Sequence, residues 1–406
     1  LPICATLIGF AGSIAHHLDL GGITPGIMNG ATEVYHEGLI LPALKVRLVD
    51  GAFDGPLLEL LVANSRAPEE VAGDLSAQLA ANHTAGQRIA ELIARYGAEA
   101  VCSTMVHMQD VADDLMRTAL LELPRGTFSA RASIDDDGEG CGPLTIEVSL
   151  AFDGESLHID FSGSAGQVRG MVNSTRASTL AAVQTALVQY LSSDSNRLVA
   201  NHGTFRRVSV HIPAGSILHP NPPASVHARF IAAYRAYEAL ALALMKALPH
   251  RSQATGFNGT AVFAISRQEG ARHSILADIA CGGWGADAEA DGADGLPSPL
   301  SNCSNVSAEW IEYRFPHLRL ARYEFRDGSG GAGKRYGGRG EVREFEILED
   351  GLRFVAMCDR FVDGAAGYEG GQAGAPGKFT VLRGQETVVL PSKCSVMLEA
   401  GDILQI

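Results

Sequence analysis

The sequence predicts an α+β protein: a helical hairpin and long helices packed on mixed or antiparallel sheets, with a β-rich C-terminal lobe. Two long helical patterns stand back to back between residues 68 and 123. From residue 258 onward, short apolar runs alternate with glycine-rich stretches, which suits an antiparallel sheet or barrel. Regular strand–helix alternation is missing, which excludes a Rossmann-type sheet. At 406 residues the chain has room for two or three lobes. The expected units are a β region around a histidine-bearing loop at 1–55, a helical hairpin at 56–126, an α/β core at 127–257 and a glycine-rich β lobe at 258–406.

The elements follow from local pattern. Residues 7–14 are apolar and read as a buried strand, and 39–48 as a second strand-like run. Pro68-Glu69-Glu70 opens a helix, since proline fits the first turn and acids there suit the helix dipole. Val71, Leu75, Leu79, Ile89, Leu92 and Ile93 keep a helical period, and Gly97 ends it. A partner helix runs over 101–123 and stops at Pro124, so the pair forms an antiparallel hairpin. Alternating residues over 144–150 and 157–161 flank Asp153-Gly154-Glu155, a β-hairpin signal. A helix over 175–191, a strand over 208–212, a break at Asn221-Pro222-Pro223 and a helix over 226–248 follow. Strands are expected over 261–265, 274–279, 319–325, 341–347, 354–357, 379–382, 387–390 and 395–398.

Composition narrows the function classes. The net charge is −14, which disfavours nucleic acid or an anionic membrane as the main partner. No apolar run reaches the about 18 residues of a membrane span. The apolar run over 232–248 is broken by Arg235, Glu238 and Lys246. Seven cysteines, an odd number without a CxxC pair, point to reduced thiols in a cytoplasm. Leu1-Pro2-Ile3-Cys4 lacks the basic start of a signal peptide and an initiator Met. A cleaved chain, or one whose beginning is not represented, is therefore expected.

His16-His17-Leu18-Asp19 is the densest chemical motif. Neutral imidazoles and a carboxylate suit Zn²⁺, Mn²⁺ or Fe²⁺. On an extended chain His16 and His17 face opposite ways, so one of them joins a given site. Asp19 could ligate or could orient a ligating imidazole. A single-metal site needs three protein ligands and this segment supplies at most two. A histidine pair hydrogen-bonded at the edge of a core is the plain structural alternative. Gly328-Ser329-Gly330-Gly331-Ala332-Gly333-Lys334 matches a P-loop spacing, but Arg335 stands where Ser or Thr should hold Mg²⁺. Tyr336-Gly337-Gly338-Arg339-Gly340 also prevents the helix that a P-loop feeds, so a glycine-rich loop between strands is expected. An anion-binding role for Lys334 and Arg335 stays open. Asp287, Glu289 and Asp291 beside Gly282-Gly283-Trp284-Gly285 read as a solvated acidic loop. Asn173 or Ser174 reads as a helix cap, and Cys281 and Cys303 as inert thiols.

Several motifs resemble the hydantoinase B/oxoprolinase family in collinear order. They are residues 15–26 (AHHLDLGGITPG), 31–39 (ATEVYHEGL), Asn64–Glu70 with 73–78, 160–164 with 167–170, 221–226, 329–338 and 374–377. The resemblance implies a B-type subunit of an ATP-dependent enzyme complex acting on cyclic amides such as hydantoins, lactams or 5-oxoproline. Ketone carboxylases of the acetone or acetophenone type are the alternative it implies, and a non-catalytic structural subunit is a further one. ATP would sit on an A-type, actin/kinase-like partner within a hetero-oligomer, and the B-type chain would act on the phosphorylated substrate. The resemblance also implies a divalent metal, zinc or manganese, with His16 as ligand and His17 and Asp19 beside it. Glu33, Glu37 or Asp19 would supply acid–base chemistry. The family's HxxD ligand pair does not precede His16 here, so the remaining ligands are expected upstream of Leu1 or on another chain. His36 stands where the family more often has Gln.

Overall fold

The computed structural model describes every residue except 1–6, 50, 54, 271, 297, 298 and 302–305. Cys303 therefore lies outside the described residues. The chain is mixed α+β, with six α-helices among the described residues and a strand-rich C-terminal part.

Strands β1 (Leu48–Val49) and β2 (Ala52–Phe53) form a two-stranded ribbon, followed by helix α1 (Pro56–Ala63). Helices α2 (Pro68–Tyr96) and α3 (Ala98–Leu120) then make the expected hairpin. Pro68 stands in the first turn of α2 with Glu69 and Glu70, and Gly97 ends it at φ +84°. Within α2 only Val71 is buried, whereas α3 rests on the body through bonds to Asn196, Asn201, Arg206 and Arg207.

Strands β3 (Gly126–Ile134), β4 (Leu144–Phe152), β5 (Leu157–Asp160) and β6 (Val208–His211) form a mixed four-stranded sheet. The β4–β5 hairpin is antiparallel, whereas β5 and β6 pair in parallel around helix α4 (Arg176–Leu191). One crossover of this kind does not make a Rossmann sheet. The cap of α4 is Thr175, whose hydroxyl accepts the Ser178 N–H at 3.2 Å. Asn173 serves instead as a buried loop tie, its amide donating to Val168, Gly170 and Ser225 carbonyls.

Helix α5 (Arg229–Ala247) is the centre of the molecule. It shares a core with α4, with the inward faces of β3 and β4, and with Ala264, Val355 and Met357. Those last residues belong to β7 (Ala261–Glu269) and β11 (Leu352–Met357), in a sheet of order β14-β11-β7-β8. Its other members are β8 (Arg272–Ala280) and β14 (Lys393–Leu398). Its opposite face, through Phe263, Phe354 and Ala356, packs on a five-stranded sheet of order β13-β12-β15-β10-β9. That sheet contains β9 (Leu318–Phe325), β10 (Glu341–Ile347), β12 (Phe379–Arg383), β13 (Glu386–Leu390) and β15 (Ile403–Gln405), and helix α6 (Ala308–Arg314) precedes it. Because both faces of β11 are covered, Phe354-Val355-Ala356-Met357 is a continuous apolar run with no alternation.

Two charged pairs tie α5 to the end of β11. Glu238 is shared by Arg235 and Arg360, the latter at 2.5 Å, and Arg235 lies 3.4 Å from Asp359. Burial alone would raise the Glu238 carboxyl, but Arg235 and Arg360 hold it below the usual range.

Two expected strands do not form. Residues 7–14 are irregular and exposed, with Phe10 at 90% and Ile14 at 97%. In the run over 39–48, strand begins only at Leu48. Apolar character makes a segment eligible for burial, but a strand also needs a neighbour to receive its N–H and C=O groups. No strand among the described residues pairs with 7–14. No helix among the described residues is long and apolar enough to cross a membrane.

Candidate active site around His16

The loop after residue 15 is shaped by Asp19. Its carboxylate is buried and accepts N–H groups from Gly21 (2.9 Å), Gly26 (3.2 Å) and Arg66 (3.2 Å), plus the Arg66 guanidinium at 3.1 Å. Arg66 Nη2 also donates to the Gly22 carbonyl at 2.8 Å. The loop is thereby clamped to the foot of α2. Gly22 is required here: it has φ +94°, and a Cβ would lie 2.9 Å from the His36 carbonyl oxygen. With both oxygens engaged by these donors, Asp19 acts as the fastener of the loop.

Glu37 has a comparable task. One carboxylate oxygen accepts the Ser225 hydroxyl (2.5 Å) and the N–H groups of Val226 (2.6 Å) and His227 (2.9 Å). It pins the chain just before α5, where a negative charge suits the helix N-terminus. Glu33 is more open; it sits 3.4 Å from His36 Nε2, while His36 Nδ1 accepts the Thr32 N–H.

The two adjacent histidines diverge, as expected for an extended chain. His17 turns toward α2, with Nδ1 3.5 Å from Asp74. His16 turns toward α5, and its Nε2 accepts a hydrogen bond from Arg229 at 3.0 Å. His227 completes this corner, its Nε2 accepting the Met28 N–H at 3.2 Å. Burial, and after it the Arg229 charge and His17, lower the His16 pKa. Burial together with Arg229 and His16 pushes His227 down to about 4. Both imidazoles are thus neutral near pH 7, with lone pairs rather than charge to offer.

Sequence reasoning misses His227 and Arg229. The Asn221–Val226 motif ends one residue short of His227, and a single histidine at a helix start carries no spacing signal. Asp74 and Arg66 are likewise visible in the sequence only as parts of a helix and its approach.

A divalent metal does not fit these residues by themselves. Among the described residues no three His, Cys, Asp or Glu side chains converge. The Asp19 oxygens are already engaged, and Arg229 places a positive charge on the His16 lone pair.

The family profile described as "Hydantoinase B/oxoprolinase" matches residues 1–406. The chain belongs to the hydantoinase B/oxoprolinase family. A protein of Pseudomonas sp. (strain NS671), provisionally named as the B-type subunit of a D-/L-hydantoinase, is 32% identical over 95% of this chain and 67% of its own length. The beta subunit of the Pseudomonas jessenii caprolactamase is 30% identical over 90% of this chain and 62% of its own. The crystal structure of the ATP-dependent caprolactamase from that organism superimposes with TM-score 0.83 at 25% identity, covering 95% of this chain and 68% of that one. Acetone carboxylase gives TM-score 0.85 at 16% identity and so shares the fold. The chain thus spans about two thirds of these family members.

Proposed function

We propose that this chain is the B-type part of an ATP-dependent cyclic-amide hydrolase, acting on a hydantoin, lactam or 5-oxoproline-like ring that an A-type partner has activated with ATP. The observation that carries this reading is the family match along the whole chain, including the loop that presents His16 to Arg229. The relatives named for hydantoinase and caprolactamase activity favour amide hydrolysis over ketone carboxylation, because the likeness to acetone carboxylase speaks for fold alone. A cytoplasmic hetero-oligomer with ATP on the partner belongs to the same reading.

His16, Arg229 and His227 carry the chemistry. The Arg229 guanidinium is the group to receive an anionic oxygen of the activated substrate. When it turns to that anion, His16 Nε2 loses its hydrogen-bond donor and its lone pair becomes free. A neutral imidazole then accepts a proton from the water as it adds to the activated carbon, and returns it to the ring nitrogen, which leaves as an amine when the C–N bond breaks. A second water hydrolyses the acyl phosphate that remains to carboxylate and phosphate. His227 keeps the corner free of a second positive charge. Glu33, open to solvent, is the carboxylate left to relay protons; Asp19 and Glu37 hold the frame. Zinc or manganese at His16 enters this proposal only with further ligands from outside the described residues, and no step above depends on it.

The test is His16→Ala in the assembled complex, assayed with ATP and cyclic amides. Loss of the base should reduce kcat by roughly 10²–10⁴-fold while the complex stays assembled. Unchanged turnover would make this chain a structural subunit. A product that requires added bicarbonate would move the function to carboxylation.

A further inference from the structure

A cavity lies in the C-terminal lobe, with a volume of about 650 Å³. Its lining contains none of His16, Arg229 and His227. Its lining includes Pro249 and Ser252, just beyond the end of α5, whereas His16 meets Arg229 at the start of that helix. The lining also reaches the middle of that helix, where Phe257 and Arg360 meet Arg235 and Glu238.

Three glycine-rich loops build its walls, around residues 281–285, 328–340 and 364–377. They are joined backbone to backbone. Gly338 N–H donates to the Trp284 carbonyl at 2.9 Å, Gln372 N–H to Ala332 at 2.8 Å and Ala375 N–H to Ser329 at 2.8 Å. A Cβ on Gly283 would sit 1.8 Å from the Gly338 oxygen, and one on Gly331 would sit 2.1 Å from the Gln372 oxygen. Glycine is therefore what lets these loops touch, and the cavity is built before any ligand arrives. The P-loop-like spacing is explained in the same way: residues 326–340 join β9 to β10 and carry no helix.

Charge in this cavity is unusually unbalanced. Several arginines elsewhere in the lobe are matched: Arg339 with Asp294 and Asp327, and Arg383 with Asp402 and Glu399. In the cavity wall Glu341 and Glu344 are matched by Arg343 and Arg322. Lys334, Arg335 and Lys378, by contrast, line the cavity, are exposed and have no ion-pair partner among the described residues. Arg326 joins them, its guanidinium donating to the Pro376 carbonyl and to no carboxylate among the described residues. Among the described residues, two lining carboxylates without an ion pair oppose these four cations: Glu369, and Asp287, which accepts the Glu289 and Ala290 N–H groups. In a chain of net charge −14, a concave surface with surplus cations focuses a positive potential. Trp284, Phe257 and Tyr368 give the same cavity an apolar, aromatic side.

We propose that this cavity is a binding site for a small organic oxyanion, a carboxylate or phosphate carried on an apolar or aromatic body. The anion meets Lys334, Arg335 and Lys378, and the body lies toward Trp284. The site is separate from the His16 corner and does not depend on the hydrolase reading.

Tryptophan fluorescence tests it. The chain has two tryptophans, and Trp310→Phe leaves Trp284 as the sole reporter. The full chain with this substitution is titrated with benzoate, phenyl phosphate and neutral benzamide. Saturable quenching by at least one anion, weakened tenfold or more in Lys334→Glu/Arg335→Glu/Lys378→Glu and unaffected by His16→Ala, supports the site. A stronger response to benzoate assigns a carboxylate, and to phenyl phosphate a phosphate. Equal binding of benzamide, anion binding that survives the triple charge reversal, or no saturable quenching by either anion overturns it. The reversed residues are exposed, and an unchanged thermal transition confirms that the variant is folded.

Discussion

Helices α2 and α5 use similar apolar periodicity for opposite ends. In α5 nearly every residue is buried, and small alanines let two sheets and α4 approach it. In α2, which is longer, Val71 alone is buried. Helical periodicity therefore tells where a helix forms, while the tertiary setting decides what it carries. The candidate site lies on the loop that bridges the two. His17 and Asp19 are fastened to the foot of the hairpin, whereas His16 and Glu37 are fastened to the start of α5. A loop bolted to both a rigid core and an exposed helix can hold a neutral imidazole beside a guanidinium.

The strongest way to break this contrast is Glu238→Gln. It leaves Arg235 and Arg360 buried without their shared carboxylate, and should cost about 3–5 kcal/mol. Urea unfolding measures it, and a loss below about 1 kcal/mol would show that the pair is dispensable. Next comes Leu240→Ala on the fully buried α5, with about 2–5 kcal/mol expected from lost burial and the cavity left behind. Asp19→Asn should cost about 1–3 kcal/mol, since it weakens the clamp on Arg66 and two loop N–H groups. Its sharper readout is faster hydrogen exchange at Gly21 and Gly26, and unchanged exchange would deny Asp19 its role.

A pH series sharpens the contrast at the α5 side. Buried His227 stays neutral down to about pH 4 in the native chain, whereas an unfolded chain protonates it near 6.5. Its stabilising contribution is full above pH 6.5 and is lost as the pH falls toward and through 4. The difference in urea midpoint between the parent and His227→Gln should therefore change across that window. A pH-independent difference would contradict the buried, neutral state. The smallest effect belongs to the hairpin: Leu92→Ala, at a position 43% exposed, should stay within about 0.5 kcal/mol.

Much of the architecture is legible because its signals are local. Pro68 and Gly97 mark the ends of α2, and Asp153-Gly154 marks the β4–β5 turn. What cannot be read depends on partners distant in sequence. The apolar run over 7–14 has the composition of a core strand but meets no strand among the described residues. Thr175, rather than Asn173, caps α4 because Asn173 is drawn into hydrogen bonds with Ser225, fifty-two residues away. At the site, the divergence of His16 and His17 follows from chain geometry alone. The arrival of Arg229 and His227 requires α5 to be placed, and only that placement shows why Glu37 is engaged, whereas Asp19 is engaged by Arg66 before α2.

Gly97 has a mechanical consequence. It is the whole connection between α2 and α3: its N–H closes one helix on Ile93, and its carbonyl begins the next through Val101. A one-residue joint with both polar groups engaged leaves little slack. The hairpin is then a stiff pair, with α2 about 43 Å long from its 29 residues at 1.5 Å each. Its base holds Asp74 and adjoins Arg66, the residues that grip His17 and Asp19. A push at the tip would reach that base as torque, with the histidine loop close to the fulcrum.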